Sequence, residues 1–296
     1  MLNNLPIEIR EYDESLAEDI AQMWNTWDDL WPGGFTQGIP YTAERVKKQY
    51  GQISALALLI AIDRETKKPV GSCTLHPNWR DNEAAYIGTL GVSPNALNKK
   101  VGKQLLLESI RISSRRGFTR VDLNTWAGNM SAVPLYKKVG MMWDPDGQGL
   151  TMFDYVPGIL THPLCTPFFK LLKGEHDWYN THVRNPTQAP DIHTKDGMAI
   201  YPYEFKLDDA SLSVTVDKHA RGITAIKRII AGDVMHIAAS VSSHDVLCGL
   251  PYKYSLKIEN GGSQDMKLSV HLRGYRGLEF DEIHCISNRI QYIAVV

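Results

Sequence analysis

The sequence predicts two domains of different classes, a mixed α/β domain followed by an all-β sandwich. The chain has 296 residues, which is more than one ordinary domain contains. Apolar residues recur at helical spacing in several segments of the first half, and they alternate with polar residues at a period of two in the last third. We therefore assign residues 1–156 to the α/β domain, 157–198 to a connector with a short helix, and 199–296 to the β-sandwich.

Strands and helices alternate in the first half. A helix follows Asp13 and Ser15, and its apolar residues fall on one face. Residues 55–62 are apolar on both faces, as expected for a central strand covered on both sides. Gly117 and Gly140 stand where two later helices should end. The resulting order, β-α-α-β-β-β-α-β-α-β-β, predicts a mixed sheet with flanking helices.

The second half shows short alternating runs separated by turn signals. Residues 211–216, 252–258 and 266–272 each alternate apolar with polar side chains. About seven short strands of this kind are typical of an antiparallel β-sandwich. No motif in this half indicates catalysis. We interpret it as a structural or dimerisation module, so that a homodimer is expected as one arrangement, and we keep sugar or protein binding by the sandwich as an alternative.

Composition excludes several classes of partner and site. Hydrophobic residues make up 43% and charged residues 22% of the chain, as in soluble globular proteins. The net charge of −1 shows no basic excess, so we expect neither a nucleic-acid nor a membrane partner. The four cysteines form no CxxC pair and the histidines no HxH or HxxxH pair, so no metal site is expected. Without a targeting or membrane-spanning segment, the chain is predicted to be cytoplasmic.

A strand–loop–helix segment carries the first chemical signal. The strand is predicted to end at Val92 and the next helix to begin near Val101, where free backbone N–H groups could hold a pyrophosphate. Lys99, Lys100 and Lys103 crowd this helix start. Cations at a helix N-terminus cost roughly 0.3–1 kcal/mol each, and a bound phosphate would reverse that sign. A solvated surface cluster without a ligand is the alternative.

The same segment resembles the core motif of the GNAT superfamily of N-acetyltransferases. That motif has Val-x-Pro at the strand end, followed by Gln/Arg-x-x-Gly-x-Gly/Ala at the helix start. Val92, Pro94 and Gly102 match it in register. Leu97 stands where the family has Gln or Arg, and Lys100 where it has the first glycine. These two departures leave the binding pose open.

A second segment is similar to another signature of that family, Asn-x-x-Ala-x-x-Leu-Tyr-x-Lys-x-Gly-Phe. Six residues are in register, namely Asn129, Ala132, Leu135, Tyr136, Lys138 and Gly140, and Met141 occupies the aromatic position. The two segments occur in the correct order and at the expected distance. The resemblance covers about half of the chain, and together they identify its first half as a member of the GNAT superfamily.

The resemblance implies acetyl-CoA as co-substrate and direct transfer of the acetyl group to an amine. Backbone groups of the strand end would pair with pantetheine, the loop and helix start would hold the pyrophosphate, and Asn129 would contact the pantetheine arm or the following helix. The implied cofactor-binding residues are Leu90, Gly91, Val92, Asn98, Lys99, Lys100, Val101, Gly102, Lys103 and Asn129. No metal is implied.

The resemblance also implies that Tyr136 is the general acid that protonates the departing thiolate. A phenol of pKa about 10 can donate to a thiolate whose acid has a pKa of about 8.5. Packing of Tyr136 as a core aromatic is the alternative. Glu83 is a candidate base, acting directly or through water, and an ordinary exposed acid is its alternative reading. Asn124 and Thr125 could orient a water molecule.

The acceptor is predicted to be a small-molecule or peptide amine. The helix and loop that would shape its pocket carry an aromatic and acidic set, Trp24, Trp27, Asp28, Asp29 and Trp31. Such a wall suits a cation, although simple core packing explains the tryptophans equally well. Leu97 and Lys100 also leave open a CoA-binding or sensor protein that no longer transfers an acyl group.

Overall fold

Two β-sheets organise the chain in a computed structural model. The structure describes residues 6–144, 149–184, 191, 193–195, 198–217, 222–241 and 254–262. The first sheet is mixed and the second is antiparallel throughout. The predicted fold class, an α/β domain with flanking helices followed by an all-β region, is thereby confirmed.

The α/β domain contains seven strands and four helices within the described residues. In chain order they are β1 (Ile7–Glu11), α1 (Ala17–Trp24), α2 (Ala43–Gly51), β2 (Ala57–Asp63), β3 (Pro69–Asn78), β4 (Asp81–Val92), α3 (Val101–Arg115), β5 (Arg120–Asn124), α4 (Val133–Val139), β6 (Met142–Trp143) and β7 (Thr151–Asp154). The sheet order is β1-β2-β3-β4-β5-β7-β6, and only β4 and β5 run parallel. The chain order of these elements agrees with the sequence prediction.

Helices cover both faces of this sheet. On one face α1 is anchored to β3, because Trp24 Nε1 donates a hydrogen bond to Ser72 Oγ at 3.2 Å. On the other face Cys73 Sγ lies 3.4 Å from Ser109 Oγ of α3. Successive residues of a strand point to opposite faces, so Ser72 and Cys73 mark the two sides. Thr42 caps α2, because its hydroxyl oxygen accepts a hydrogen bond from the Arg45 amide.

The segment 157–198 differs from the predicted connector with one short helix. Its described residues belong to three short helices, α5 (Val156–Thr161), α6 (Thr166–Phe169) and α7 (Trp178–Thr181), and to strands β8 (His182–Val183) and β9 (His193–Lys195). Phe168 and Trp178 are buried in the core. The segment therefore packs against the core, because its aromatic side chains bury their apolar surface there.

The described part of the last third forms one antiparallel sheet. Its longer strands are β10 (Met198–Lys206), β11 (Ala210–Asp217), β12 (Gly222–Ile230), β13 (Asp233–Val241) and β14 (Tyr254–Asn260). They follow in the order β14-β13-β12-β11-β10-β8, with β9 also paired to β10. The second layer that a sandwich requires is not among the described residues, and the predicted strand at 266–272 lies outside them.

The two sheets share one hydrophobic core. Tyr201, Tyr203 and Phe205 of β10 are fully buried. The Tyr201 ring packs edge-on against Phe153 of β7 with centroids 4.8 Å apart, and the Tyr155 amide donates to the Tyr203 hydroxyl at 2.9 Å. No helix in the described part of the chain has both the length and the apolar character needed to cross a membrane.

Candidate functional site

Strands β4 and β5 separate before β4 ends. Their parallel pairing stops at Ile87 and Leu123, whereas β4 continues along β3 as far as Val92. The β3–β4 register shifts between Cys73 and Leu75, which marks a bulge in the same stretch of β4. Along residues 88–92, the backbone edge that faces away from β3 therefore meets no strand of the described chain. Such groups need other partners, so this opening suits a ligand that offers amide groups.

The loop after β4 leads into the start of α3. Asn98 and Lys100 have left-handed backbone conformations, with φ of 68° and 63°. The first amide with a helical acceptor is that of Gln104, which donates to the Lys100 carbonyl at 3.1 Å. The three amides before it have no helical acceptor, as at any helix N-terminus. Left-handed residues beside a helix start aim successive amides into a concave, anion-binding arrangement. The loop therefore fits a pyrophosphate.

Gly102 lets α3 and α4 approach closely at this end of the sheet. A Cβ atom at Gly102 would lie 3.0 Å from Leu135 Cδ2 and 3.6 Å from Val92 Cγ2. A Cβ there would require the Leu135 side chain to shift by a few tenths of an ångström, and a larger side chain would press α3 and α4 apart. The glycine thus serves the packing that keeps the opening in shape.

Lysines around the helix start have different environments. Lys99 Nζ lies 3.5 Å from Asp63 Oδ2, whereas no ion pair is formed by Lys100 or Lys103 in the described part of the chain. Burial, followed by the charges of Lys100 and Arg184, lowers the pKa of Lys103. The unpaired lysines leave positive charge directly beside the free amides.

Tyr136 lies on the α3 and α4 face of the sheet. Its side chain is 7% exposed and belongs to the core cluster beneath these helices. Burial, with a smaller contribution from Cys73, raises the pKa of the Tyr136 phenol above its ordinary value. Cys73 pairs with Leu90, a residue of the part of β4 that borders the opening. The surroundings of Tyr136 therefore extend to the opening. The phenol keeps its proton at neutral pH.

Glu83 lies at the wrong end of the sheet for a base. It is exposed at the beginning of β4, and the Thr119 amide just before β5 donates to its carbonyl. Nine residues separate Glu83 from Val92, or about 30 Å of extended strand. Direct proton abstraction at the opening is therefore inconsistent with its position, and even a water molecule would not bridge that distance.

Asn124, Thr125 and Asn129 lie at the opening end of β5. Asn129 Nδ2 donates to Thr125 Oγ1 at 3.1 Å, and Asn129 Oδ1 accepts from the Ala132 amide at 3.2 Å. Asn129 therefore contacts the helix that follows it. Asn124 Oδ1 accepts from Thr151 Oγ1 at 3.1 Å. Asn129 uses both groups of its side-chain amide within the fold and Asn124 uses its Oδ1, so both residues shape this end of the sheet.

His76 is a polar residue of the site that sequence reasoning missed. It is partly buried on β3, shares the α1 face with Ser72, and pairs across the strands with Tyr86. Its Nε2 lies 3.1 Å from the position that a Cβ of Gly88 would take, where β4 and β5 part. Burial lowers the pKa of His76, so the imidazole is neutral near pH 7. A lone histidine in an alternating strand gives no sequence signal.

Two of the five residues of the predicted acceptor wall are packed inside the protein. Trp24 and Trp27 are 1% and 0% exposed, so they are core residues. Asp28 accepts hydrogen bonds from the amide and hydroxyl of Thr36 at 2.6 and 2.7 Å, which lowers its pKa and holds the loop closed. Asp28 and Asp29 remain exposed and Trp31 is partly exposed, so two carboxylates and one ring keep surface available to an acceptor.

A comparison with known protein families assigns the segment that contains this site. Residues 20–141 match the family model described as "Acetyltransferase (GNAT) family". This segment is a GNAT-family acetyltransferase domain. It contains the opening between β4 and β5, the amide loop, His76 and Tyr136. No curated protein matches the chain.

Several solved structures are similar to the GNAT domain. The PaiA N-acetyltransferase of Thermoplasma acidophilum, in complex with coenzyme A, has 21% sequence identity and a TM-score of 0.40, over 50% of this chain and 98% of its own. A GNAT-family acetyltransferase of Staphylococcus aureus Mu50 has 18% identity and a TM-score of 0.41, over 51% and 99%. The ribosomal-protein-S18-alanine N-acetyltransferase of Escherichia coli has 14% identity and a TM-score of 0.38, over 51% and 94%.

Proposed function

We propose that the GNAT domain transfers an acetyl group from acetyl-CoA directly to an amine. One observation carries the proposal: the opening between β4 and β5 and the free amides at the start of α3 lie at the same end of the sheet. Bound acetyl-CoA would supply the acetyl group as an activated thioester. Backbone groups of Leu90, Gly91 and Val92 would align the pantetheine arm, and amides from Asn98 to Lys103 would hold the pyrophosphate.

The two faces of the sheet offer an acid and a base to the opening. Tyr136, on the face of α3 and α4, would donate its proton to the departing sulfur. His76, on the face of α1, would accept the proton that the amine must lose before it attacks. An ammonium of pKa about 10 has no free electron pair, so deprotonation is required. Both residues begin in the protonation state that these roles need.

The acceptor class remains a small-molecule or peptide amine. Asp28, Asp29 and Trp31 are the residues of the predicted wall that keep access to solvent, and Asp28 is already hydrogen-bonded to Thr36. A ring face and a carboxylate together suit a cationic amine before it is deprotonated. A cytoplasmic location and a homodimer stay predictions from the sequence.

A second candidate function is CoA binding without transfer. Leu97, which replaces the family's Gln or Arg, is 51% exposed, and Lys100 takes a left-handed conformation where the family has glycine. Both changes alter the loop that would hold the pyrophosphate. They leave Tyr136 and the opening in place, which is why we favour transfer.

Release of CoA thiol from acetyl-CoA, measured with a panel of amines, tests the proposal. We expect turnover with at least one amine, a kcat reduced about 100-fold in Tyr136→Phe and in His76→Gln, and less than about twofold change in Glu83→Gln. Circular dichroism would verify that the variants fold. Binding of acetyl-CoA without thiol release for any amine would favour the second candidate.

The pH dependence of kcat/KM distinguishes a general base at His76 from a residue with only a structural role. A base must be neutral to accept a proton, so kcat/KM should fall only as the pH drops through the lowered pKa of His76, below the ordinary value of about 6.5. The His76→Gln variant should lose that acidic limb. An unchanged limb in the variant would assign it to another group.

A further inference from the structure

We propose that Arg184, Lys103 and Lys100 bind the 3′-phosphate of CoA around the ring of Tyr179, so that the segment leading into the second sheet completes the cofactor site. The inference rests on the proposed function. It adds a binding role for residues outside the GNAT domain, which ends at Met141 in the family match.

Two cations lie against one aromatic ring. Lys103 Nζ is 3.7 Å and Arg184 Cζ 3.9 Å from the centroid of the Tyr179 ring. Lys103 belongs to the first turn of α3, whereas Tyr179 belongs to α7 and Arg184 follows β8. Contacts of this kind are worth about 0.5–2 kcal/mol each. The chain therefore brings cations from two distant segments to one place beside the amide loop.

These cations have no anionic partner in the described part of the chain. Neither Lys100, Lys103 nor Arg184 forms an ion pair there, and Arg184 Nη1 is buried without a hydrogen-bond acceptor. A buried guanidinium donor without an acceptor is costly, and like charges repel one another. Burial is the main cause of the lowered pKa of Lys103, and the further lowering by the charges of Lys100 and Arg184 is consistent with that repulsion. An anion with several oxygens would relieve both costs.

Contacts along α3 hold the cluster in place. Glu175 pairs with Arg111 at 3.7 Å and with Arg115, and His176 Nε2 lies 3.6 Å from Glu108. The segment thus runs antiparallel to α3 and reaches its first turn at Tyr179. Next, β8 pairs with β10 of the second sheet. Arg184 is therefore positioned by contacts with both α3 and the second sheet.

The chemistry of CoA favours its 3′-phosphate as the occupant. CoA carries a pyrophosphate, which the backbone amides of the loop suit, and a separate terminal phosphate on the ribose. Side-chain cations, and above all the fork of an arginine, suit a terminal phosphate with several free oxygens. Lys103 is close enough to the amide loop for one ligand to contact both.

Calorimetric titration of the full chain with CoA and with 3′-dephospho-CoA tests this assignment. Wild type should bind CoA more tightly, by about tenfold or more. Arg184→Gln and Lys103→Gln, in two different segments, should each weaken CoA binding about tenfold and change 3′-dephospho-CoA binding less than about twofold. Lys170→Gln, an exposed lysine of the intervening segment, should change neither.

Each alternative result has a distinct meaning. Equal affinity of wild type for the two ligands, or equal weakening of both by Arg184→Gln and Lys103→Gln, would overturn the 3′-phosphate assignment and leave the proposed function standing. Binding of neither ligand by wild type would overturn both. Circular dichroism verifies that both variants are folded before their affinities are compared, so equal weakening is not a result of unfolding.

Discussion

Lys100 is the residue at which this chain departs most from the family motif. Its φ of 63° is a conformation that L-residues with a Cβ adopt at a cost of about 1 kcal/mol, and that glycine adopts freely. The family's glycine therefore has a physical reason at this position. In this chain the strained lysine places a cation beside Lys103, which gives the departure a role in the proposed phosphate site.

Replacement of Lys100 tests whether that strain is present. We expect Lys100→Gly to raise the free energy of unfolding of the ligand-free protein by about 0.5–1 kcal/mol relative to Lys100→Ala, because only glycine removes the Cβ. Urea unfolding monitored by circular dichroism measures the difference. Since both variants remove the charge, electrostatic effects cancel in the comparison. A Lys100→Gly variant no more stable than Lys100→Ala would show that the backbone is unstrained.

At the scale of elements, contact between β4 and Trp27, which lies in the loop after α1, fixes one wall of the opening. A Cβ at Gly91 would lie 2.4 Å from the Trp27 ring, a distance that no real contact allows. Trp27 is fully buried and stacks with Trp31 at 6.4 Å. The loop that carries the remaining acceptor candidates is thus tied to the end of β4 through a single tryptophan.

Gly91→Ala should disturb this contact. We expect a loss of about 1–3 kcal/mol in the free energy of unfolding, because the added methyl group overpacks the wall against Trp27. Gly51→Ala is the matched control, since a Cβ there meets nothing within 4 Å, and it should be neutral or slightly stabilising. Denaturant unfolding compares the two. Similar stability of both variants would mean that the loop carrying Trp27 moves away from β4 easily.

Sequence patterns predicted the elements and the motif positions well, because both depend on local spacing. Val92 and Gly102 stand at a fixed interval within one strand–loop–helix unit, and Tyr136 stands at a fixed place within the later Asn129 motif. Glu83 lies at the end of β4 that is far from the opening. Which end of β4 borders the opening depends on where its pairing with β5 stops. His76 was missed because its position depends on a bulge and a cross-strand pair. Neither the register nor the bulge can be deduced from one strand alone.

The three short helices α5, α6 and α7 show a similar limit of prediction from sequence patterns. They are four to six residues long and have too few turns for a helical period to be visible. Burial of residues such as Phe168 and Trp178 against the sheets determines them instead. Tertiary contacts of this kind are absent from any local pattern.

At the scale of the whole molecule, Asp154 lies where the two sheets meet. Its Oδ1 accepts from the Val156 amide at 2.9 Å, Tyr203 of the second sheet is hydrogen-bonded to it, and Oδ2 has no partner in the described part of the chain. Burial raises the pKa of Asp154 to about 7. His182 is buried nearby, and burial lowers its pKa to about 3. Its effect on the pH dependence of stability is therefore opposite to that of Asp154.

The Asp154→Asn variant isolates this carboxyl group. A carboxyl pKa raised in the folded state means that the native protein holds more protons than the unfolded chain between about pH 4 and pH 7, so stability falls as the pH rises through that window. The asparagine does not titrate. The free energy of unfolding of the variant minus that of wild type should therefore increase across this window, by a few kcal/mol at most. It should reach a plateau above about pH 7. His182 is present in both proteins, so its effect cancels in the difference.

Unfolding by urea at pH 5, 6, 7 and 8 measures that difference. A difference independent of pH would show that Asp154 titrates normally and that the junction of the two sheets admits water. A rising difference would show instead that the junction of the two sheets keeps Asp154 away from water.

The most direct test of the central claim is calorimetric titration of the full chain with acetyl-CoA. The opening between β4 and β5, together with the free amides at the start of α3, predicts one saturable site per chain with a dissociation constant in the micromolar range, on the order of −8 kcal/mol. Binding should weaken as salt is raised, because phosphates meet lysines there. Absence of any binding heat and of any rise in melting temperature at millimolar acetyl-CoA would contradict the account.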